Sequence, residues 1–227
     1  MNRLFLGIIM GLMMSFVYAN DIYVTQSGAT LTLDINQDGQ DNTVGNSTTS
    51  SSVVGSTSTI DIDQVGSSNI LTFDVNGDTF TGTFDVTGNN NDIDFNCDSA
   101  GTNSSCGTAT ASITWVGSSN DIDIDVGETN DASNATITIT GSTGSDSNVI
   151  AATVDGTSAV LTLTVNGDTN NYLIDIDGDG DVNGHTFIHS HTGSIADVDV
   201  TQSGIYDAYV SLTTSGDNHD IDISQTD

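Results

Sequence analysis

The segment Asp175-Ile-Asp177-Gly-Asp179-Gly180-Asp181 sets four carboxylates at alternate positions, with glycines between them. Oxygen donors at this spacing, with glycine permitting a sharp turn, suit a hard cation such as Ca²⁺. The string is the opening half of a twelve-residue calcium loop, D-x-D-x-D-G. Position twelve is Thr186 where a bidentate Glu would stand, so a complete loop of that kind is not expected. Asp34-Ile-Asn36-Gln-Asp38-Gly39 repeats the half-motif, although Asp- and Gly-rich chains generate such strings by chance. His185, His189 and His191 come next. His189 and His191 share a strand face, which suits Zn²⁺ or Cu²⁺; the plainer expectation places them on the solvent face of a loop insertion. Carboxylate pairs are abundant, but general acid–base chemistry needs a pocket that drives two pKa values apart. No nucleophile-elbow motif surrounds any serine. Catalysis is therefore not expected.

The N-terminus reads as an export signal. Arg3 supplies a positive start, Leu4 to Phe16 form an apolar run, and Val17-Tyr18-Ala19 ends in small residues suited to cleavage after Ala19. That run is too short to span a bilayer, which takes about 20 residues; a retained N-terminal anchor is the alternative. No second hydrophobic stretch follows, so the mature chain is expected to lack a transmembrane span and to be secreted or held at the cell surface. Arg3 is the only basic residue of the 227, so the chain from Asn20 onward keeps all 31 acidic residues and a formal charge of −31. With no Lys or Arg to neutralise phosphates, nucleic acid is excluded as a partner. Divalent cations, high salt or a basic partner are the available counter-charges. In an exported chain, Cys97 and Cys106, the only two cysteines, fit a disulfide closing the short polar loop between them. A two-cysteine metal site and free thiols are the alternatives.

The elements that must carry these groups emerge from repetition. Glycines recur every 11 residues along Gly28–Gly39, Gly55–Gly66–Gly77–Gly88 and Gly156–Gly167–Gly178. The intervals are rich in Ile, Val, Thr and Phe with period 2, which indicates strands and not a helical supercoil. Gln37-Asp-Gly39-Gln-Asp-Asn42 and Gln64-Val-Gly66-Ser-Ser-Asn69 share the form Q-x-G-x-x-N. Gly88 to Asn91, Gly117 to Asn120, Gly127 to Asn130 and Gly167 to Asn170 keep G-x-x-N, while Gln26-Ser-Gly28 and Gln202-Ser-Gly204 keep Q-x-G.

Residues 60–75 define one unit. Ile60, Ile62 and Gln64 face one way and Asp61 and Asp63 the other; after Gly66, the inward parity resumes at Asn69, Leu71, Phe73 and Val75. Glycine suits the corner because it accepts φ > 0. Gln and Asn at the corners can stack as amide ladders between neighbouring units. One such unit cannot bury its apolar face alone, so units must stack. Two 11-residue halves make a 22-residue coil, and residues 20–227 make roughly nine coils, with irregular insertions expected near 46–58, 96–107 and 179–192. The expected fold is an all-β solenoid of strand–arc–strand coils.

Q-x-G-x-x-N between alternating strands is similar to the curlin repeat, with Asp and Thr here replacing the Ser and Ala of that family. The resemblance covers most of the chain in degenerate form. It implies a secreted subunit that self-associates, or joins other curlin-like subunits, in amyloid-like extracellular fibres of biofilm matrices. It also makes Gln37, Asn42, Gln64 and Asn69 ladder residues. A monomeric, calcium-stabilised adhesin or surface-binding module is the alternative. The outward Asp residues, such as Asp61 with Asp63 and Asp92 with Asp94, would stack about 4.8 Å apart. At that distance like charges repel by roughly 0.9 kcal/mol per pair even in bulk water, so screening or bound cations are expected.

Overall fold

The computed structural model describes residues 20–97, 106–117, 119–127, 134–142, 148–156, 158–168, 170–177, 185–204 and 208–226. Among the described residues there are nineteen β-strands and no helix. None of these residues forms a helix long and apolar enough to cross a membrane. Apart from one isolated antiparallel bridge between Asn46 and Thr49, every pairing is parallel. The chain winds alternately through an eight-stranded and an eleven-stranded sheet, and each strand pairs with its counterparts in the turns before and after. The expected β-solenoid is the observed fold, with about seven turns roughly 26 residues apart.

The 22-residue coil exists, but as a minimum. Register partners lie 22 residues apart between Thr57 and Thr79, between Ile70 and Asp92 and between Asn148 and Asn170. Elsewhere an arc is longer: 27 residues separate Thr30 from Thr57 and 29 separate Thr79 from Thr108. The excess between Thr79 and Thr108 includes the Cys97–Cys106 segment. The strands themselves stay in register, because shifting a strand by one residue would turn its apolar face to water. Two segments expected to be irregular are partly strand: Ser51–Val54 and the first residues of Thr57–Val65 in one, and Thr186–Thr192 in the other.

The core lies between the two sheets. Along Thr57–Val65 burial alternates residue by residue, with Ser58, Ile60, Ile62 and Gln64 inside. Asn69, Leu71, Phe73 and Val75 continue the inward face after the arc, as the period-2 pattern predicts. Inward positions form columns running through the stack, such as Ile62, Phe84, Ile113, Ile139 and Leu163. Where a column carries a large ring, its neighbour gives way. Trp115 lies beside Gly141 in the next coil, and a Cβ on Gly141 would enter the indole. Phe73, Phe80, Phe84 and Phe95 gather from both sheets, with ring centroids 5.2–6.4 Å apart.

Candidate functional site: corner ladders, acidic faces and open ends

The 11-residue glycine step alternates between two corners. Gly39, Gly66, Gly88, Gly117 and Gly167 turn the chain out of the eight-stranded sheet, whereas Gly28, Gly55, Gly77, Gly127 and Gly204 turn it out of the eleven-stranded one. The reason for glycine is not, in the main, the left-handed backbone expected from sequence. At Gly66 and Gly88 a Cβ would collide with the carbonyl oxygen of the equivalent glycine one coil earlier, Gly39 and Gly66 respectively. The positive φ falls two residues later, at Asp41 (54°), Asn90 (55°) and Ser119 (55°). Only some corner glycines, Gly127 (81°) among them, are themselves left-handed.

That arc explains the motif. Asn91, Asn120 and Asn170 donate from Nδ2 to the carbonyl of the glycine three residues earlier, at 2.9, 3.0 and 2.8 Å. This bond closes the turn and accounts for G-x-x-N. The Oδ1 of each rung looks to the neighbouring coil: Asn69 N–H donates to Asn91 (3.2 Å), Asn91 N–H to Asn120 (3.1 Å), and Asn120 N–H to Asn148 (3.0 Å). Asn120 Nδ2 also reaches Asn148 Oδ1 at 3.0 Å, and Asn148 Nδ2 reaches Asn170 Oδ1 at 2.7 Å. Asn42, Asn69, Asn91, Asn120, Asn148 and Asn170 are all at most 4% exposed, so a column of buried asparagines runs through six coils. Its members are hydrogen-bonded to one another from Asn69 to Asn170, while Asn42 and Asn69 donate from Nδ2 to the carbonyls of Val65 and Thr87 in the next coil. The column ends where Ala196 pairs with Asn170.

Gln completes the longer motif. Gln64 Nε2 donates to Gln37 Oε1 (2.8 Å) and to the carbonyl of Ile70, six residues on (3.2 Å). Gln37 donates to the carbonyls of Asn20 and Thr43. In later coils the same column holds Val86 and Trp115, so the Gln rung is confined to the first two. Gln202 and Gln26 belong to the other corner. Gln202 is buried and accepts from Gln225 at 2.9 Å. Gln26 departs from its expected role: it is exposed and its register partner is Val53, not an amide.

Asn148 escaped detection in the sequence because the nearest glycine before it, Gly144, stands four residues away, one more than in G-x-x-N. Asn130 lies outside the described residues, and the rung beyond Asn120 is Asn148.

Cys97 and Cys106 are disulfide-bonded, with Cα atoms 5.7 Å apart. Both are buried, so the bridge sits in the core, where Cys97 is in register with Val126 and Cys106 Sγ lies 3.8 Å from the Val75 carbonyl oxygen. Asp175 is the penultimate residue of the strand Asn170–Ile176 and Asp177 follows that strand; the backbone N–H of Asp177 donates to Asp155 Oδ1 at 3.0 Å. Asp179 and Asp181 lie outside the described residues. Among the described residues no cluster of three or more His, Cys, Asp or Glu is arranged to hold a metal.

The histidines are a correction. His189 and His191 lie on the inward face of Thr186–Thr192, each 1% exposed, in line with Phe187. His185, just before this strand, is equally buried. The parity of a regular strand decides this, since alternate residues share a face. Tyr172 packs edge-on against both rings and its hydroxyl lies 2.9 Å from His191 Nδ1. Burial depresses the pKa of His189 to about 4 and lowers that of His191.

Outward Asp residues stack in pairs and not in long columns. Asp92 pairs with Asp121 and Asp94 with Asp123, and Asp197 with Asp220. The next partners are uncharged: Ile70, Val149 and Asn171. Partial burial and then neighbouring carboxylates raise the pKa of Asp92, Asp94, Asp123 and Asp175. Folding therefore disfavours the charged form of these groups, and their destabilising effect disappears as pH falls through the raised folded values toward the unfolded value near 3.9. His189 acts oppositely: because its folded pKa is depressed, it loses stability as pH falls from about 6.5 to about 4. Replacing His189 with Leu is expected to reduce, without abolishing, the loss of melting temperature that protonation of the buried histidines brings as pH falls from about 6.5 to about 4, because His191 still contributes in the same direction. In the unsubstituted chain that loss opposes the gain from the raised Asp groups in full. Differential scanning calorimetry across that range, at fixed ionic strength, checks both curves.

Compared with protein-family models, curated proteins and solved structures, the chain matches none of them.

Proposed function

We propose that this chain is a secreted structural subunit that builds an extracellular, curli-like amyloid fibre by end-to-end stacking of β-coils. The supporting observation is that both ends of the solenoid look like interior coils. At one end Ile221 and Ile223 are 37% and 47% exposed, and at the other Ile22, Val24, Leu31 and Leu33 are only partly covered. Monomeric solenoids normally end in polar caps that hide such surfaces and their strand edges. The amide ladder and single-residue alternation continue a cross-β arrangement without change of geometry if a further coil is added. Resemblance to the curlin repeat points the same way, and the role is one of assembly, not catalysis.

Calcium enters as a counter-ion to the acidic faces, with Asp175 to Asp181 as its candidate loop. Negative-stain electron microscopy of residues 20–227 in high salt, with calcium and with chelator, tests the reading. Fibres in both conditions are the expected result. Fibres only with calcium would make the carboxylates a switch for assembly. Compact monomers throughout would favour the calcium-stabilised adhesin instead.

A further inference from the structure

Among the described residues, the two ends of the solenoid are strand edges of opposite kind. At the N-terminal end, Asn20, Ile22 and Val24 direct their carbonyls to the second coil, accepting from Thr43, Gly45 and Ser52. Alternation along a parallel strand then directs the N–H and C=O of Asp21, Tyr23 and Thr25 out of the molecule. At the C-terminal end, the Thr226 carbonyl accepts from Gly204 in the coil before it. The backbone groups of Ile221, Ile223 and Gln225 therefore point outward. One edge thus offers the polar groups of its outward-facing residues, and the other those of its inward-facing ones. That is the complementarity every internal junction of the stack uses.

The side chains agree with the backbone. Asp220-Ile-Asp-Ile-Ser-Gln225-Thr and Asp21-Ile-Tyr-Val-Thr-Gln26-Ser follow one pattern, D-I-x-[I/V]-[S/T]-Q-[T/S]. Following the register from coil to coil, Gln26 and Gln225 occupy the two ends of a single column. Between them that column is mostly aliphatic, with Val53, Val75, Val126 and Val154. At the C-terminal end Gln225 already donates to Gln202; at the other, Gln26 has only Val53 in register. An exposed amide stacked on valine has no use inside one molecule. It becomes a ladder rung when a second copy supplies Gln225.

We infer that copies of this chain join head to tail, the Asp220–Thr226 strand of one pairing in parallel with residues 21–27 of the next. Gln225 then lies over Gln26, Ile221 over Ile22 and Ile223 over Val24. The other sheet continues too, Leu212 falling in the column of Ile35. A tail-to-tail contact would run the two strands antiparallel, a pairing that no junction between described coils of the stack uses. The junction requires residues 1–19 to be gone, as the export-signal reading expects. It adds one like-charged pair, Asp220 with Asp21, matching the Asp197–Asp220 pair already inside the stack.

This inference rests on the fibre reading, and a cross-linking experiment separates their failures. Ser224→Cys and Thr25→Cys variants, both outward positions, are assembled alone and mixed, then treated with a short bis-maleimide. Cross-linked dimers in the mixture, and in neither variant alone, are the expected result. Fibres whose Ser224→Cys chains link to each other, or which link in no combination, would overturn the head-to-tail junction but leave the fibre intact. Chains that stay monomeric would overturn both. Thr25→Pro removes an N–H that only the next molecule uses. It should slow elongation at least tenfold with an unchanged melting temperature; elongation at the unsubstituted rate would overturn the assignment of that edge.

Discussion

Asn120→Ala is expected to destabilise the solenoid by about 3–4 kcal/mol, well beyond the ordinary loss of a surface polar group. Asn120 is 2% exposed and holds three bonds at once. Its Nδ2 closes the corner on the Gly117 carbonyl and reaches Asn148, and its Oδ1 receives the Asn91 N–H. Truncation leaves the Gly117 carbonyl and the Asn91 N–H buried without partners, at about 1–3 kcal/mol each. Asn120→Asp keeps the acceptor, loses the donor and buries a charge, so it should be no milder at neutral pH. Denaturant unfolding measures the size of the effect. Amide hydrogen exchange gives its place: protection should fall first at Asn91. A loss below about 1 kcal/mol would mean that backbone pairing alone closes the corners and the amides are incidental.

Phe84→Ala should cost about 3–5 kcal/mol, the range for emptying an aromatic site in a packed core. Phe84 is fully buried. It touches rings from both sheets, with centroids 5.2 Å from Phe95 and 6.4 Å from Phe73 and Phe80. Gly82 is part of the same arrangement, since a Cβ there would enter the rings of Phe80 and Phe84. The neighbours are rings held by strands in fixed register, so the site cannot collapse far to fill the gap. In a quasi-one-dimensional stack each coil relies on its neighbours, so the lesion should also divide the array. Limited proteolysis is expected to yield a stable fragment C-terminal to the lesion, whereas a single cooperative loss of both halves would show that the coils do not uncouple. For comparison, Val65→Ala on the outward face (48% exposed) should fall within about 0.5 kcal/mol of the parent.

The acidic faces illustrate how stacking modifies a sequence-level expectation. Spacing between neighbouring coils, about 4.8 Å, made repulsion certain wherever Asp follows Asp. Variable arc lengths and residue choice then break every long run into pairs, as with Asp92 and Asp121 between Ile70 and Val149. The remaining repulsion is of a size that salt at seawater strength screens.

Much of this protein is legible in its residues because a strand alternates with period two and depends little on its surroundings. The inward set Ile60, Ile62, Gln64, Asn69, Leu71, Phe73 and Val75 follows from parity alone, and the motif Q-x-G-x-x-N picked out the buried amides Gln37, Asn42, Gln64 and Asn69, of which Gln37 and Gln64 bond to each other. Only the stack decided what each repeat meets. Whether Gln26 finds an amide or Val53 depends on the coil above it, not on its own neighbours in sequence. The need for glycine at Gly66 comes from the Gly39 carbonyl 27 residues away, and not from local backbone preference. Asn148 became a rung although the glycine before it stands one residue farther off in sequence than in G-x-x-N, because the strand register and not the residue count places it opposite Asn120 and Asn170. His189 and His191 went inside because Thr186–Thr192 joins the sheet and its parity is inherited from Leu163 and Val165 in the coil before. Parity is a local property of the chain, and partnership across coils is a tertiary one.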